Sequence, residues 1–235
     1  MNIAIILASG IGKRMGAGKN KVLLKLGGKS IVYYSALPFE KTKMVDGILV
    51  VARKEELGLF KELFRKTGFK KIIDVIEGGS ERQESSFNAI KYLENIFSAK
   101  QIKESMILFH NGANPFVQEQ EIEIALLVAK KIGACAVAHP TKDTIKQVNK
   151  NNLVEQTLDR SRLWNMQTPQ VIKLKLAAEA FNLAHKDRYV GTDDVSLVER
   201  LGKKVKIIEA SPYNTKITTP MDYELAKIII RRKLC

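Results

Sequence analysis

The chain has 235 residues, of which 45% are hydrophobic and 27% are charged, and its formal net charge is +14. This length and composition suit a globular protein with a full hydrophobic core. No apolar stretch approaches the roughly 18 residues that span a bilayer, and the chain starts with a strand pattern instead of a secretory leader, so we expect no membrane partner.

Short apolar segments alternate with amphipathic ones along the chain. The strand-like segments lie at residues 3–8, 47–52, 71–76, 105–109, 134–138 and 205–209. Amphipathic helical patterns lie at residues 55–66, 84–95 and 119–131. This alternation predicts an α/β fold, with a Rossmann-like, mostly parallel sheet and helices on both faces. We expect one domain over residues 1–235, with ligands at the carboxyl ends of the strands.

The loop after the first strand combines glycines with cations, and residues 9–21 read SGIGKRMGAGKNK. Glycines let backbone N–H groups approach an anion, and lysine and arginine add positive charge. The Walker pattern fails because an asparagine follows the Gly-Lys pair. The dinucleotide fingerprint fails because a methionine replaces its third glycine. The loop therefore predicts a polyphosphate site of another kind, with a solvated basic loop as the alternative.

A second glycine-rich loop, EGGSERQESS at residues 77–86, follows the third predicted strand. Its paired glycines allow close backbone approach. Ser85 or Ser86 could cap the following helix or meet a sugar or base, and Arg82 could hold the loop or reach phosphate. Because loops after parallel strands meet at one edge of the sheet, we expect the loops after the first, third and fourth strands to form one nucleotide site.

One segment departs from the alternation. Residues 143–148 and 153–158 read as two strands joined by the turn Asn-Lys-Asn-Asn, which predicts a hairpin that projects from the sheet. An isolated hairpin is marginally stable in water and needs a surface to pack on. We expect residues 141–160 to form a dimerisation arm, and the alternative is a hairpin folded on its own subunit.

In their order, these motifs resemble those of the cytidylyltransferases of the 2-C-methyl-D-erythritol 4-phosphate pathway and of their relatives acting on ribitol 5-phosphate. Further matching segments follow at residues 143–146, 163–170, 192–199 and 214–220. The resemblance implies a single nucleotidyltransferase domain that forms a homodimer. It also implies CTP as a substrate and Mg²⁺ as cofactor, held mainly by the triphosphate, so that no metal ligand is assigned to the chain.

The resemblance also implies a role for individual residues. Arg14 and Lys21 would stabilise the transition state as the polyol phosphate attacks the α-phosphorus of CTP. The residues that would position the polyol phosphate are Arg160, Lys216, Thr192 and Asn111. The residues that would bind the nucleotide are Ala8, Ser9, Gly10, Gly12, Lys13, Gly79, Ser80, Arg82 and Ser85.

The predicted arm bears on two of these residues. If it is exchanged between subunits, each site borrows Arg160 and Thr192 from its neighbour. The alternative for Arg160 is an ion pair with Asp159 or Glu155.

The fourth strand ends in a segment that departs from the family. Residues 110–115 read His-Asn-Gly-Ala-Asn-Pro, where the family has His-Asp-Ala-Ala-Arg-Pro. Asn111 is neutral and can still accept a hydroxyl hydrogen bond, whereas Asn114 lacks the guanidinium group. We expect 2-C-methyl-D-erythritol 4-phosphate as substrate, with ribitol 5-phosphate, or a CTP-binding protein of weak or no turnover, as alternatives. A phosphate nucleophile needs no general base, so we favour a structural role for His110.

The surplus of cations could also indicate a nucleic-acid partner. The cations are spread along the chain, however, and no aromatic residues interleave with them to form a stacking platform. We therefore expect a small anionic substrate and no nucleic acid. Cys135 and Cys235 lie far apart, which suggests reduced thiols and a cytoplasmic protein.

Overall fold

The computed structural model describes residues 1–10 and 20–234. The strands are β1 (Asn2–Leu7), β2 (Lys25–Leu26), β3 (Lys29–Ser30), β4 (Gly47–Ala52), β5 (Ile72–Glu77), β6 (Met106–Asn111), β7 (Ala134–Pro140), β8 (Lys146–Val148), β9 (Val154–Thr157), β10 (Trp164–Lys173) and β11 (Lys206–Glu209). The α-helices are α1 (Ile31–Lys41), α2 (Leu57–Thr67), α3 (Arg82–Ile96), α4 (Ala99–Glu104), α5 (Glu119–Ile132), α6 (Leu174–Lys186), α7 (Asp194–Arg200) and α8 (Pro220–Arg232). Short 3-10 helices lie at Lys21–Leu23, Lys54–Glu56 and Arg160–Arg162.

Seven strands form the central sheet in the order β11-β7-β10-β6-β1-β4-β5. The pairs β1–β4, β1–β6, β4–β5 and β7–β11 are parallel, and β10 runs antiparallel to both of its neighbours. The predicted α/β class with a mostly parallel sheet is confirmed. Strand β10 was not predicted as a strand, because its polar first half and its proline mask the apolar run that follows.

Alternating side chains of β1 pack against helices on opposite faces of the sheet. Ala4 and Ile6, with Ala8 directly after the strand, join one core with residues of α1, α2 and α5. Ile3 and Ile5 join the other core with residues of α3, α6 and α7. Because successive strand residues point to opposite faces, a run of apolar residues gives a strand that is buried on both sides. The strand is thereby fixed in position, and its carboxyl end becomes a rigid support for the loop that follows.

The hairpin of β8 and β9 is a sheet of its own and contributes no strand to the central sheet. All residues of the two strands are exposed. The predicted projecting hairpin is therefore present. Within the described ranges, no helix is both long enough and apolar enough to cross a membrane.

Candidate active site

An open cleft of about 410 Å³ lies at the carboxyl ends of β1 and β6. Its lining residues are Leu7, Ser9, Gly10, Lys21, Val22, Ser80, Glu81, Arg82, Ser85, Asn111, Ala113, Lys216 and Thr218. The loops after the first, third and fourth predicted strands thus converge on one cleft, as expected. Eight of the residues predicted for the site line it, whereas Gly12, Lys13 and Arg14 lie outside the described residues.

The side chain of Asn20 binds back to the residue that follows β1. Its Nδ2 donates to the carbonyl of Ala8 (2.7 Å) and to the carboxylate of Glu56 (2.8 Å), and its Oδ1 accepts from the backbone N–H of Val22 (3.3 Å). Asn20 is buried, so these bonds are shielded from water. The described residues on either side of positions 11–19 are therefore held together beside the cleft, and Lys21 follows Asn20 there.

A serine pair joins the first loop to the second. The hydroxyls of Ser9 and Ser85 lie 2.9 Å apart, and the Ser85 hydroxyl accepts from the backbone N–H of Gly79 (3.0 Å). An added Cβ at Gly78 would lie 2.7 Å from the Ser85 hydroxyl and 2.9 Å from Cβ of Ser9. Any side chain at this position would push the serine pair aside, which explains the first glycine of the pair in the second loop. Ser85 thus holds the two loops together and does not cap α3.

Arg82 is fixed at the start of α3 by two acceptors. Its Nη2 donates to the carboxylate of Asp194 (2.5 Å) and its Nε to the side-chain oxygen of Asn111 (3.2 Å). Burial alone would lower the pKa of Arg82, but the charge and hydrogen bond of Asp194 raise it. Arg82 is therefore held in place at the end of the second loop and lines the cleft as a cation. Its contact with phosphate stays a prediction.

The opposite wall of the cleft is formed by the segment before α8. The Nζ of Lys21 donates to the carbonyl of Ile217 (2.8 Å), and the N–H of Ile217 donates to the carbonyl of Ala113 (2.9 Å). These bonds tie the segment to both the first loop and the end of β6. Lys216 is exposed and lines the cleft beside them. Two of the predicted cations therefore face the same space as the serines and Arg82.

His110 is fully buried beneath this site. Its Nε2 donates to the carbonyl of Asn114 (2.9 Å), which leaves Nδ1 to accept from the hydroxyl of Thr168 (2.9 Å). Burial lowers the pKa of His110 to about 4, so the ring stays neutral near neutral pH. With both nitrogens occupied and no access to the cleft, His110 has the structural role that the sequence favoured.

Arg160 and Thr192 do not line the cleft of their own chain. Both are exposed, and Nη1 of Arg160 donates to the carbonyl of Lys142 (2.9 Å). The carboxylates proposed as alternative partners bind elsewhere: Asp159 accepts from Ser161 and Glu155 accepts from Gln147. Arg160 lies at the base of the hairpin and is oriented by backbone.

The described lining of the cleft offers few ligands for Mg²⁺. Among residues 1–10 and 20–234, no three His, Cys, Asp or Glu side chains form a group that could hold a metal ion. Glu81 is the carboxylate among the described lining residues. Such a lining fits a cation that takes most of its ligands from phosphate oxygens and water, as Mg²⁺ does at triphosphate sites.

Several residues of the site lacked a sequence signal. Glu81 and Thr218 line the cleft, and Asp194 anchors Arg82 from 112 positions away. Nothing in a single sequence pairs an aspartate at the start of one helix with an arginine at the start of another. The neighbouring Asp193 caps α7, where its side chain accepts from the N–H of Ser196.

A mostly parallel sheet with a polar, cation-lined cleft beyond its first strand defines the class of nucleotide-binding α/β enzymes. The family model for IspD, 2-C-methyl-D-erythritol 4-phosphate cytidylyltransferase, matches residues 2–232. The chain belongs to this family.

Curated relatives and solved structures agree with this assignment. The enzyme of that name from Bacillus mycoides (strain KBAB4) is 43% identical over 97% of this chain and 96% of its own length. The enzyme from Geobacillus thermodenitrificans (strain NG80-2) is 41% identical over 98% of this chain and 97% of its own length. The structure of the Francisella tularensis enzyme has a TM-score of 0.78 at 30% identity, covering 97% of this chain and 98% of its own. The 4-diphosphocytidyl-2C-methyl-D-erythritol synthase structure from Anaerococcus prevotii DSM 20548 has a TM-score of 0.84 at 27% identity. The match covers 99% of this chain and 96% of that one.

Proposed function

We propose that this chain transfers CMP from CTP to 2-C-methyl-D-erythritol 4-phosphate in isoprenoid precursor synthesis. An oxygen of the polyol phosphate attacks the α-phosphorus of CTP, and a new phosphoanhydride bond forms. The bond between the α-phosphorus and the bridging oxygen of the β-phosphate breaks, and pyrophosphate leaves with that electron pair. The observation that carries the proposal is the cleft that brings both glycine-rich loops together with Lys21, Arg82 and Lys216.

The cations of the cleft supply the electrostatic part of catalysis. Negative charge builds up around the α-phosphorus in the transition state, and cations that are already fixed in place stabilise it without reorganisation. Lys21 has its position set by the carbonyl of Ile217. Arg14 is assigned to the same task by the resemblance. Mg²⁺ carried by the triphosphate would neutralise further charge, with Glu81 as the nearby carboxylate.

Pyrophosphate release with CTP and Mg²⁺ tests the activity. We expect turnover with 2-C-methyl-D-erythritol 4-phosphate, and a kcat about 100-fold lower in Lys21→Ala, since a fixed charge at the transition state is lost. Lys25→Ala, which removes an exposed cation nearby, is the control and should retain the parent rate. Turnover with ribitol 5-phosphate alone would replace the proposed substrate. CTP binding without pyrophosphate from either substrate would indicate a silent paralogue.

We also propose that residues 141–160 form the arm of a cytoplasmic homodimer. Support comes from the apolar side chains that the hairpin exposes: Val148 is 45%, Leu153 64% and Val154 60% exposed. A hairpin with such residues is stable only when another surface covers them. Arg160 at its base would then reach the cleft of the neighbouring subunit.

A complementation experiment tests this exchange. Lys21→Ala and Arg160→Ala each remove one residue of the proposed site, so each variant should be nearly inactive. Mixed dimers would contain one cleft with both residues intact, and about a quarter of the parent activity should return. No recovery after subunit exchange would show that Arg160 acts within its own chain.

Light scattering tests the arm itself. Leu153→Asp places a charge on the covered surface and should give monomers without turnover, whereas Asn151→Asp in the exposed turn should remain dimeric. A dimeric and active Leu153→Asp variant would contradict the proposal.

A further inference from the structure

Five polar side chains form a continuous hydrogen-bonded chain from the cleft into the core. Nε of Arg82 donates to Oδ1 of Asn111 (3.2 Å), and Nδ2 of Asn111 donates to Oδ1 of Asn114 (3.2 Å). Nδ2 of Asn114 donates to Oδ1 of Asn214 (3.3 Å), and Nδ2 of Asn214 donates to Oε1 of Glu121 (3.3 Å). Asn114, Asn214 and Glu121 are buried.

The two ends of this chain fix its direction. A guanidinium group has donors and no acceptor, so the atom of Asn111 that faces Arg82 must be its oxygen. At the other end, Glu121 accepts at both carboxylate oxygens: Oε2 from the N–H of Gln118 (2.7 Å), and Oε1 from the N–H of Ser211 (2.8 Å). The amide of Asn214 must therefore turn its NH₂ group toward Glu121, and each amide between the ends follows.

Reversal of one amide is unfavourable because neighbouring donors, or neighbouring acceptors, would then face each other. Asn214 is held further by a bond from Nδ2 to the carbonyl of Thr168 (2.9 Å), and Asn114 by a bond from Nδ2 to Oε1 of Gln167 (3.2 Å). A buried polar group that loses its partner costs about 1–3 kcal/mol. The chain therefore has one preferred polarity over its whole length.

We infer that Glu121, through Asn214 and Asn114, holds Asn111 in the cleft as a hydrogen-bond acceptor that recognises a hydroxyl group of the polyol phosphate. This inference rests on the proposed function and adds three positioning residues to it. The NH₂ group of Asn111 is used within the protein, and its oxygen has a second lone pair left for a donor. A substrate hydroxyl offers a donor, whereas an ionised phosphate oxygen does not. Asn111 thus distinguishes the polyol portion from the phosphate.

Glu121→Gln tests the inference with little change of shape. The new amide has one acceptor oxygen in place of two, so it cannot accept from Gln118 as well as from Ser211 and Asn214. The end that fixes the polarity of the chain is thereby weakened, and Asn111 is held less firmly in one orientation. We expect the KM for 2-C-methyl-D-erythritol 4-phosphate to rise about tenfold, with kcat and the KM for CTP changed less than about twofold. Glu119→Gln removes the same charge from an exposed position of α5 and should leave all three constants unchanged.

A double-mutant cycle separates orientation from general damage. In an Asn111→Ala background, Glu121→Gln should have no further effect on the KM for the polyol phosphate, because the acceptor it orients is gone. A tenfold effect that persists in this background, or an unchanged KM in the single variant, would overturn the inference. If Glu121→Gln is too unstable to assay, Asn114→Ala cuts the chain at its middle and should give the same KM change.

A readout without turnover keeps the inference distinct from the proposed function. The side-chain amide resonance of Asn111, identified by its loss in Asn111→Ala, should shift in Glu121→Gln and not in Glu119→Gln. A parent protein that does not use the polyol phosphate would contradict the proposed function, and with it the recognition of a substrate hydroxyl, but not the oriented chain. An Asn111 resonance that is the same in both glutamine variants would contradict the oriented chain, whatever the substrate.

Discussion

Single residues of the site depend on burial for their chemical state, and His110 is the clearest example. Its pKa is lowered to about 4 in the folded protein, from about 6.5 when unfolded, because burial disfavours the charged ring. As pH falls below about 6.5, the unfolded chain therefore binds a proton that the folded chain does not. Stability is lost through the window from about 6.5 to about 4 and the loss ends below it.

The size of this effect can be measured. We expect His110 to contribute a loss of about 3 kcal/mol in the free energy of unfolding across that window. His110→Gln should be less stable at pH 7 but should lack this part of the acid dependence, as followed by urea denaturation at several pH values. His185→Gln, at an exposed ring stacked on Phe87, serves as the control. An unchanged acid dependence in His110→Gln would contradict the assignment.

Gly78 allows a second prediction for a single residue. Since a Cβ at this position would overlap the serines that join the two loops, Gly78→Ala should weaken binding of CTP with Mg²⁺ about tenfold in titration calorimetry. Gly58→Ala is a matched control because nothing lies within 4 Å of the added methyl group. Gly58 lies in α2, and its replacement should stabilise the protein by about 0.5–1 kcal/mol and leave the affinity unchanged. Equal affinities for the two variants would argue against the tight contact.

Ion pairs that join whole elements differ in how deeply their carboxylates are buried. Asp194, which pairs with Arg82 and joins α7 to α3, is 1% exposed, whereas Asp187, which pairs with Arg200, is 36% exposed. Asp194→Ala should cost about 3 kcal/mol, since it leaves a half-buried cation and Ser86 without their partner. Asp187→Ala should cost less than about 1 kcal/mol. Thermal and urea unfolding would show the contrast, and similar costs would contradict it.

At the level of secondary structure, the sequence predicted the elements whose signal is local. Six of the strands in the central sheet come from apolar runs, and helices α2, α3 and α5 from their amphipathic periodicity. Strand β10 lacked such a signal because Asn165 and Gln167 interrupt its first half. Its place between β6 and β7 is decided by partners distant in the chain. The same holds for the site. The loops that line it were predicted from local motifs, whereas the contact of Arg82 with Asp194, which joins distant parts of the chain, was not.

The charge of the whole molecule should affect substrate capture. A net charge of +14 attracts both CTP and a polyol phosphate, and salt screens this attraction over about 10 Å at 0.1 M. We expect the KM for CTP to rise at least about threefold between 50 and 500 mM KCl, with kcat nearly constant, in the pyrophosphate assay. Added duplex DNA should not inhibit at 150 mM KCl. Strong inhibition by DNA would support a nucleic-acid partner instead.

The contact between Lys21 and Ile217 spans 196 positions of the chain. During synthesis the N-terminal half emerges first, and its glycine-rich loops can form while the last segment is still being translated. The wall that carries Lys216 can join the first loop only after residues 216–218 have been made. CTP therefore meets the complete cleft only after that late segment has packed against Lys21.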